Sequence, residues 1–355
     1  MYQDISRGSK LKQILLYLHI HTPKELKHHT LFDIGNIDSI IDNKKTREQM
    51  HYILTQKDKI SKHICKKLNK NQLKINVSVS GTVLDFLKHS NPYNYLHLKK
   101  LLKHENTEIL GETHHHSITS IYSEEEFLYQ IKSQKKLCEE ITGKTVKSFK
   151  NTDFVINQNI ETQLEQLNYT HLLAEASHHN YQQISTNKTY YNKLTIAFKT
   201  KKISDFVNEK LYKKQNFKLQ EIKERMDEGL NSICIETWPL ALGAESTESL
   251  LTAIIETGYD TIKITDLQGE KSIKLIDQID FIKHNNLQEE SIKNLYNLEK
   301  RIKTKGTMQL MSLWREITCF THIQHMNYGN ELFSAYDKFI NFNNVIKTIE
   351  SQLDY

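Results

Sequence analysis

Leu172-Leu173-Ala174-Glu175-Ala176-Ser177 is an apolar run that delivers one carboxylate and then stops in small and polar residues. Short apolar runs of this kind read as buried parallel strands, and in α/β folds the residue at the C-terminal end of such a strand faces the pocket. Glu175 is therefore the leading candidate for a reactive group; the structural alternative is a carboxylate satisfied by a nearby Lys, Arg or backbone N–H. A second run, Asn231 to Ile235, leads into Glu236-Thr237-Trp238-Pro239, and residues two apart on a strand share a face, so Cys234 and Glu236 belong together. Lys12 to Ile20 ends in His19-Ile20-His21-Thr22-Pro23, which places His19 and His21 on one side. Such a pair admits a metal, although a hydrogen-bonded pocket histidine is the simpler role. After a strand from Glu108 to Thr113 come His114, His115 and His116. Adjacent strand residues point in opposite directions, so one or two of these line a pocket and not all three.

These residues must be positioned by elements that alternate in kind. Strand-like stretches (Lys12 to Ile20, Leu73 to Ser80, Glu108 to Thr113, Ser148 to Asp153, the Glu175 run, Leu194 to Phe198, Asn231 to Ile235 and Thr261 to Thr265) are separated by helical ones. The helices are expected over Lys45 to Lys70, from Gly81 to about Ser90, from the capping box Ser123-Glu124-Glu125-Glu126 to about Thr142, around Gln158 to Leu167, from Ile203 to about Met226, and over Glu248 to Thr257. This alternation means a parallel sheet with helical crossovers, a barrel or an open doubly wound sheet. No glycine-rich phosphate loop is present, which disfavours a nucleotide-binding sheet. After about Leu287 the apolar spacing becomes wholly helical, at Ile292, Leu295, Leu298 and Ile302, through Met308 to Met326, and again from Phe333 to Leu353. A barrel over 1–286 followed by a helical bundle over 287–355 is expected.

At 355 residues the chain buries a substantial core, and its 48 basic against 43 acidic residues leave a formal charge of only +5. No concentrated basic stripe points to nucleic acid. The N-terminal residues lack the pattern of a signal peptide, and no apolar run approaches the roughly 20 residues of a membrane helix. Cys65, Cys138, Cys234 and Cys319 are scattered without a CxxC pair, so neither a disulfide framework nor a thiolate zinc site is suggested. A cytoplasmic protein without a cofactor, not bound to membrane or nucleic acid, is the expectation.

Several stretches together resemble glycoside hydrolase family 57, in its α-amylase-like branch. They are Tyr17 to Pro23, Phe32-Asp-Ile-Gly-Asn36, Val79-Ser-Gly-Thr82, Glu112-Thr-His-His-His-Ser117, Phe149-Lys-Asn-Thr-Asp153, Leu173-Ala-Glu-Ala176, and Tyr336-Asp-Lys-Phe-Ile-Asn341 with Trp314, His322 and Met326. The resemblance implies a (β/α)7 barrel plus helical bundle that acts on α-glucans by a retaining mechanism without a metal. It puts Glu175 on the family's nucleophile, His116 on its histidine, and His21, Trp238, Trp314 and His322 among sugar-contacting positions. It also shows a departure. The family's general acid/base Asp falls on Cys234, and the segment between Glu175 and Cys234 is shortened.

Retaining hydrolysis needs two carboxyl groups about 5 to 5.5 Å apart. A thiol with a pKa of about 8.5 is a poor proton donor, and losing general acid catalysis costs on the order of 10²- to 10⁴-fold. Three functions are consistent with the residues. One is a family member with weak or lost hydrolysis that still binds α-glucan oligosaccharides. Another is an active glycosidase or glucanotransferase with Glu175 as nucleophile and Glu236, or a carboxylate such as Asp205, as replacement acid. The third is a metal-dependent hydrolase or deacetylase using His19, His21 and other histidines, His178 and His179 included. Glu112 and Asp153 are strand-end carboxylates that either line the cleft or brace loops.

Overall fold

The computed structural model describes residues 12–90, 92–176, 184–273, 275, 285–327 and 335–353. Seven strands run parallel: β1 (Gln13–Ile20), β2 (Ile75–Val79), β3 (Thr107–Gly111), β4 (Ser148–Lys150), β5 (His171–Ala174), β6 (Thr195–Phe198) and β7 (Leu230–Ile235). Their order in space is β6-β5-β4-β3-β2-β1-β7, with Thr189–Tyr191 antiparallel to β6 and the short strands Lys271–Ser272 and Asp260–Thr261 attached at either side. Each β strand is buried on both faces. Leu16 and Leu18 of β1, Val77 and Val79 of β2, and Leu172 of β5 point outward to the helices, where they join the large apolar cluster. Leu15, Tyr17, Leu110, Leu173, Ala197 and Cys234 point the other way and form a second cluster. Ala197 and Cys234 come from opposite ends of the strand order, so their meeting requires the sheet to curl round on itself. This is the (β/α)7 barrel.

Where β6 and β7 meet, side chains of the helix Lys201–Tyr212 close the seam. The Thr200 N–H donates to the Ser232 carbonyl and the Ser232 N–H to Thr200 Oγ1, 2.9 and 3.0 Å. Ser204 Oγ accepts the Cys234 N–H at 3.0 Å, while the Asn208 amide donates to the Cys234 carbonyl at 2.8 Å and accepts the Glu236 N–H at 3.0 Å. Asn208 thus does for the end of β7 what a neighbouring strand would do, which satisfies buried backbone groups that would otherwise be costly.

The helices are set by local signals. Asp42 caps Asn43–Leu68 by accepting the Lys45 N–H, and Ser123 caps Glu124–Thr142, which ends at Gly143 with φ 71°. The stretch expected as one helix from Ile203 to Met226 is two, Lys201–Tyr212 and Leu219–Lys223, because the chain turns through Lys214 (φ 56°) and drops Phe217 into the core. The strand expected over Thr261 to Thr265 shortens to Asp260–Thr261, since Asn76 Oδ1 captures the Ile264 N–H at 2.8 Å and winds Ile264–Asp266 into a turn. The helix Pro92–Lys103 was not legible, because Tyr93 and Leu96 are exposed and blur its apolar stripe.

Beyond residue 285 the chain is helical: Asn286–Asn297, Glu299–Lys305, Met308–Ile317, Phe320–Gln324 and Ala335–Ser351. Leu295, Ile302, Trp314, Phe342 and Ile349 form its core, and Ile40 and Ile118 from the barrel's loops complete it. The break at Thr318-Cys319 has a physical cause. Cys319 pairs with Ser117 as an isolated bridge and the Phe320 N–H donates to the His116 carbonyl at 3.0 Å, so the helix must open to dock on the barrel. Arg315 fixes the same contact by a bidentate pair with buried Glu126, 2.9 and 3.1 Å.

Candidate active site

Strand parity decides which side chains reach the mouth of the barrel. Tyr17, Leu110, Leu173, Ala197 and Cys234 face inward. Two residues further along each strand direction come His19, Glu112, Glu175, Lys199 and Glu236, and β4 contributes Lys150 by its pairing with Leu173. The strand ends therefore collect three carboxylates, two lysines and a histidine above an apolar floor that contains Cys234.

His19 is the hub. Its Nε2 lies 3.0 Å from Glu112 Oε2 and its Nδ1 3.1 Å from Glu236 Oε2. Burial and Lys150 oppose charge on this imidazole, but the two carboxylates prevail and its pKa is raised. Burial works against both carboxylates as well, yet His19 and its neighbours, His116 beside Glu112 and the two lysines beside Glu236, hold them well below the usual range. Thr237 locks the end of β1 by accepting the His21 N–H at 2.8 Å and donating to the His19 carbonyl at 3.1 Å. His21 Nδ1 meets Ser80 Oγ at 2.9 Å, and its Nε2 lies 3.3 Å from Cys319 Sγ. The His21 ring stacks on those of His19 and His116, with centroids 5.9 and 4.3 Å apart, and the His19 and His116 rings lie tilted to each other at 4.8 Å.

At the other side of the mouth Lys199 Nζ pairs with Glu175 Oε2 at 3.2 Å, and both side chains are largely buried. Burial opposes the Lys199 charge, but Cys234, Glu175 and Glu236 push its pKa up. The ammonium groups of Lys150 and Lys199 sit on the ring of Phe154, 4.7 and 5.0 Å from its centroid. Cys234 is fully buried, and burial pushes its thiol up.

The three-histidine run separates by position. His116 takes a left-handed backbone (φ 54°) and turns into the site, where burial lowers its pKa to about 4. His114 pairs with Asp85 at 3.1 Å, and His115 lies 3.5 Å from Glu316. His19, Glu112 and His116 each place one ligand atom within 4.8 Å of the others, so these three are where a metal could be held; among the described residues Glu112 Oε1 and His116 Nδ1 are buried without a hydrogen-bond partner, the latter 3.8 Å from Glu112 Oε2. His21 is not part of that trio.

Of the other expected residues, Trp238 is 37% exposed and opens the helix Thr237–Leu242 after β7. Trp314 offers no face to a ligand: it is fully buried in the helical core, and its Nε1 donates to the Leu295 carbonyl at 3.0 Å. His322 is buried 6.3 Å from the Phe342 ring, with its pKa lowered to about 3 by burial. Asp205 lies exposed on the outer helix, and Asp153 accepts from Gln324 at 3.1 Å. His178 and His179 lie outside the described residues. Lys150 and Lys199 were missed, although both stand two residues past an inward position on strands that the sequence revealed.

The model of glycosyl hydrolase family 57 matches residues 15–232, more than half of the chain. A Methanocaldococcus jannaschii protein named "Putative alpha-amylase" is 31% identical over 109 residues, 30% of this chain but only 23% of that protein's length. The fold resembles a 4-alpha-glucanotransferase from Thermococcus litoralis (TM-score 0.66, 12% identity, 96% of this chain and 60% of that one). It also resembles a GH57-type branching enzyme from Pyrococcus horikoshii (TM-score 0.64, 10% identity, 89% and 85%). Among the described residues no helix is long and apolar enough to cross a membrane.

Proposed function

This chain belongs to glycosyl hydrolase family 57, and from that premise we propose that its barrel mouth receives α-glucan-type oligosaccharides, with Glu175 as nucleophile and little or no hydrolysis of ordinary glycosidic bonds. The observation that carries this is Glu175 itself, at the end of β5, inside the barrel mouth and held by Lys199 at 3.2 Å. A carboxylate fixed there attacks an anomeric carbon and forms the glycosyl-enzyme of a retaining mechanism. The other half of that mechanism is a proton for the leaving oxygen. Cys234 sits in the apolar floor with its thiol pushed up by burial, a poor donor. Glu236, the replacement acid on the competing account of an active glycosidase or glucanotransferase, is hydrogen-bonded to His19 and kept ionised, so it holds no proton to give at neutral pH. Trp238 supplies a stacking face, and His21 and His116 supply hydrogen bonds. The Thermococcus litoralis and Pyrococcus horikoshii neighbours, a 4-alpha-glucanotransferase and a branching enzyme, support an α-glucan ligand.

The test is hydrolysis and transglycosylation of maltoheptaose and soluble starch beside the Glu175→Gln variant, with calorimetric titration of maltooligosaccharides. Binding heat with at most slow, Glu175-dependent turnover is the expected result. Fast turnover that survives Glu175→Gln, or no heat at high ligand concentration, overturns the proposal. One observation favours a second function, a metal-dependent hydrolase: the His19–Glu112–His116 trio with its two unpartnered atoms. Stoichiometric zinc, manganese or iron by elemental analysis would carry it, and metal-free protein would remove it.

A further inference from the structure

Lys150 is 1% exposed, and among the described residues its Nζ donates no hydrogen bond; its contact is the face of Phe154, 4.7 Å away. An ammonium on a largely buried side chain that no carboxylate hydrogen-bonds among the described residues is a ready partner for an anionic ligand. Lys199 lies over the same ring at 5.0 Å and reaches Glu175 at 3.2 Å. Lys150 in turn is among the charges that act on Asp153, Glu236, His19, His116 and Cys234. The two ammonium groups thus share one ring at the barrel mouth, one of them held against Glu175, while the position of the family's acid/base is a buried thiol.

We propose that the donor this cleft turns over carries a phosphate ester at its anomeric carbon, as a glycosyl phosphate or a nucleotide sugar, with Lys150 and Lys199 receiving the phosphate. The inference rests on Glu175 being the nucleophile. A phosphate leaves as a stable anion and needs no proton, so the missing acid ceases to matter, and lysine is a standard point-charge partner for phosphate. In the first step a Glu175 oxygen forms a bond to the anomeric carbon, and the carbon–oxygen bond to phosphate breaks. The phosphate takes the bonding electron pair and is neutralised by the lysines. In the second step a sugar hydroxyl or water attacks the anomeric carbon and the bond to Glu175 breaks. The attacking group's proton passes to the released phosphate, and the product keeps the donor's configuration.

The experiment compares α-glucose 1-phosphate, UDP-glucose, α-glucosyl fluoride and maltoheptaose as donors, with maltose as acceptor, for the wild-type chain, Glu175→Gln and Lys150→Gln. A phosphate donor should exceed maltoheptaose in kcat/KM by at least about 10²-fold, the usual value of a general acid. Whichever of the first two is used identifies the source of the phosphate. Inorganic phosphate should inhibit fluoride turnover competitively, a readout that needs no variant to fold. Lys150→Gln should raise KM for the phosphate donor at least tenfold more than KM for the fluoride. If the fluoride reacts through Glu175 while neither phosphate donor does, the inference fails and the nucleophile assignment stands. If no donor reacts, the fluoride included, both fall. If a phosphate donor reacts and Lys150→Gln leaves the ratio of KM values unchanged, Lys150 is not its receptor.

Discussion

Replacing Cys234 by Asp should place a carboxyl proton donor in this barrel mouth. The side chain at 234 is fully buried between Tyr17, Leu173 and Ala197, its amide is anchored by Ser204 and its carbonyl by Asn208, so a carboxyl of similar size projects in the same direction as the thiol. Lys199, Lys150, Glu236 and Glu175 are the charges that act there. The lysines offset part of the cost of burying a new carboxyl, and the remaining loss of stability is about 1–3 kcal/mol, read as a lower Tm. The gain in rate follows from general acid catalysis: about 10²- to 10⁴-fold on maltoheptaose, equivalent to about 2.7–5.4 kcal/mol of barrier at 1.36 kcal/mol per decade. The assay is release of reducing ends by Cys234→Asp and by Cys234→Asp/Glu175→Gln. The gain should vanish in the double variant. A folded Cys234→Asp with no gain would show that position 234 is not where protonation is needed.

Two further outcomes concern how the helical part is held. Burial pushes the Glu316 carboxyl up, but His115 and Lys24 overcome it and bring it from 4.5 down to about 2. A depressed carboxylate pKa stabilises above the unfolded value and loses that stabilisation as pH falls through the folded one. Glu316 should contribute about 3 kcal/mol near pH ~5, with more than half gone by pH ~3. Denaturant unfolding of Glu316→Gln should accordingly depend less on pH across that window than the wild type does, and an unchanged dependence would refute the assignment. Arg315→Ala leaves Glu126, 1% exposed, without its bidentate partner. Breaking a buried pair this way costs about 3–5 kcal/mol, and Glu126→Gln in the same chain should recover part of it in urea titrations.

Much of the candidate site was legible because strand parity is a rigid rule. His19 with His21, and Cys234 with Glu236, share faces as two-residue spacing demands, and Glu175 stands at the end of its apolar run. Other features depend on backbone departures that no periodicity encodes. Which of His114, His115 and His116 enters the site is settled by a left-handed residue after β3, and the helix expected to reach Met226 is interrupted by another at Lys214. Trp314 was expected to contact sugar, but it lies on the buried stripe of its helix, where a large aromatic is most often core. Lys150 and Lys199 were overlooked for the opposite reason: lysine reads as surface, whereas here strands that are buried on both faces carry it into the barrel mouth.

The central claim is that Glu175 attacks the anomeric carbon. Incubating the protein with a 5-fluoro-α-glucosyl fluoride, whose glycosyl-enzyme breaks down slowly, and mapping the adduct by peptide mass spectrometry tests it directly. One glycosyl unit on the peptide that contains Glu175, absent from Glu175→Gln, is the predicted result. An adduct on Glu236, on Glu112 or on no residue at all would contradict it.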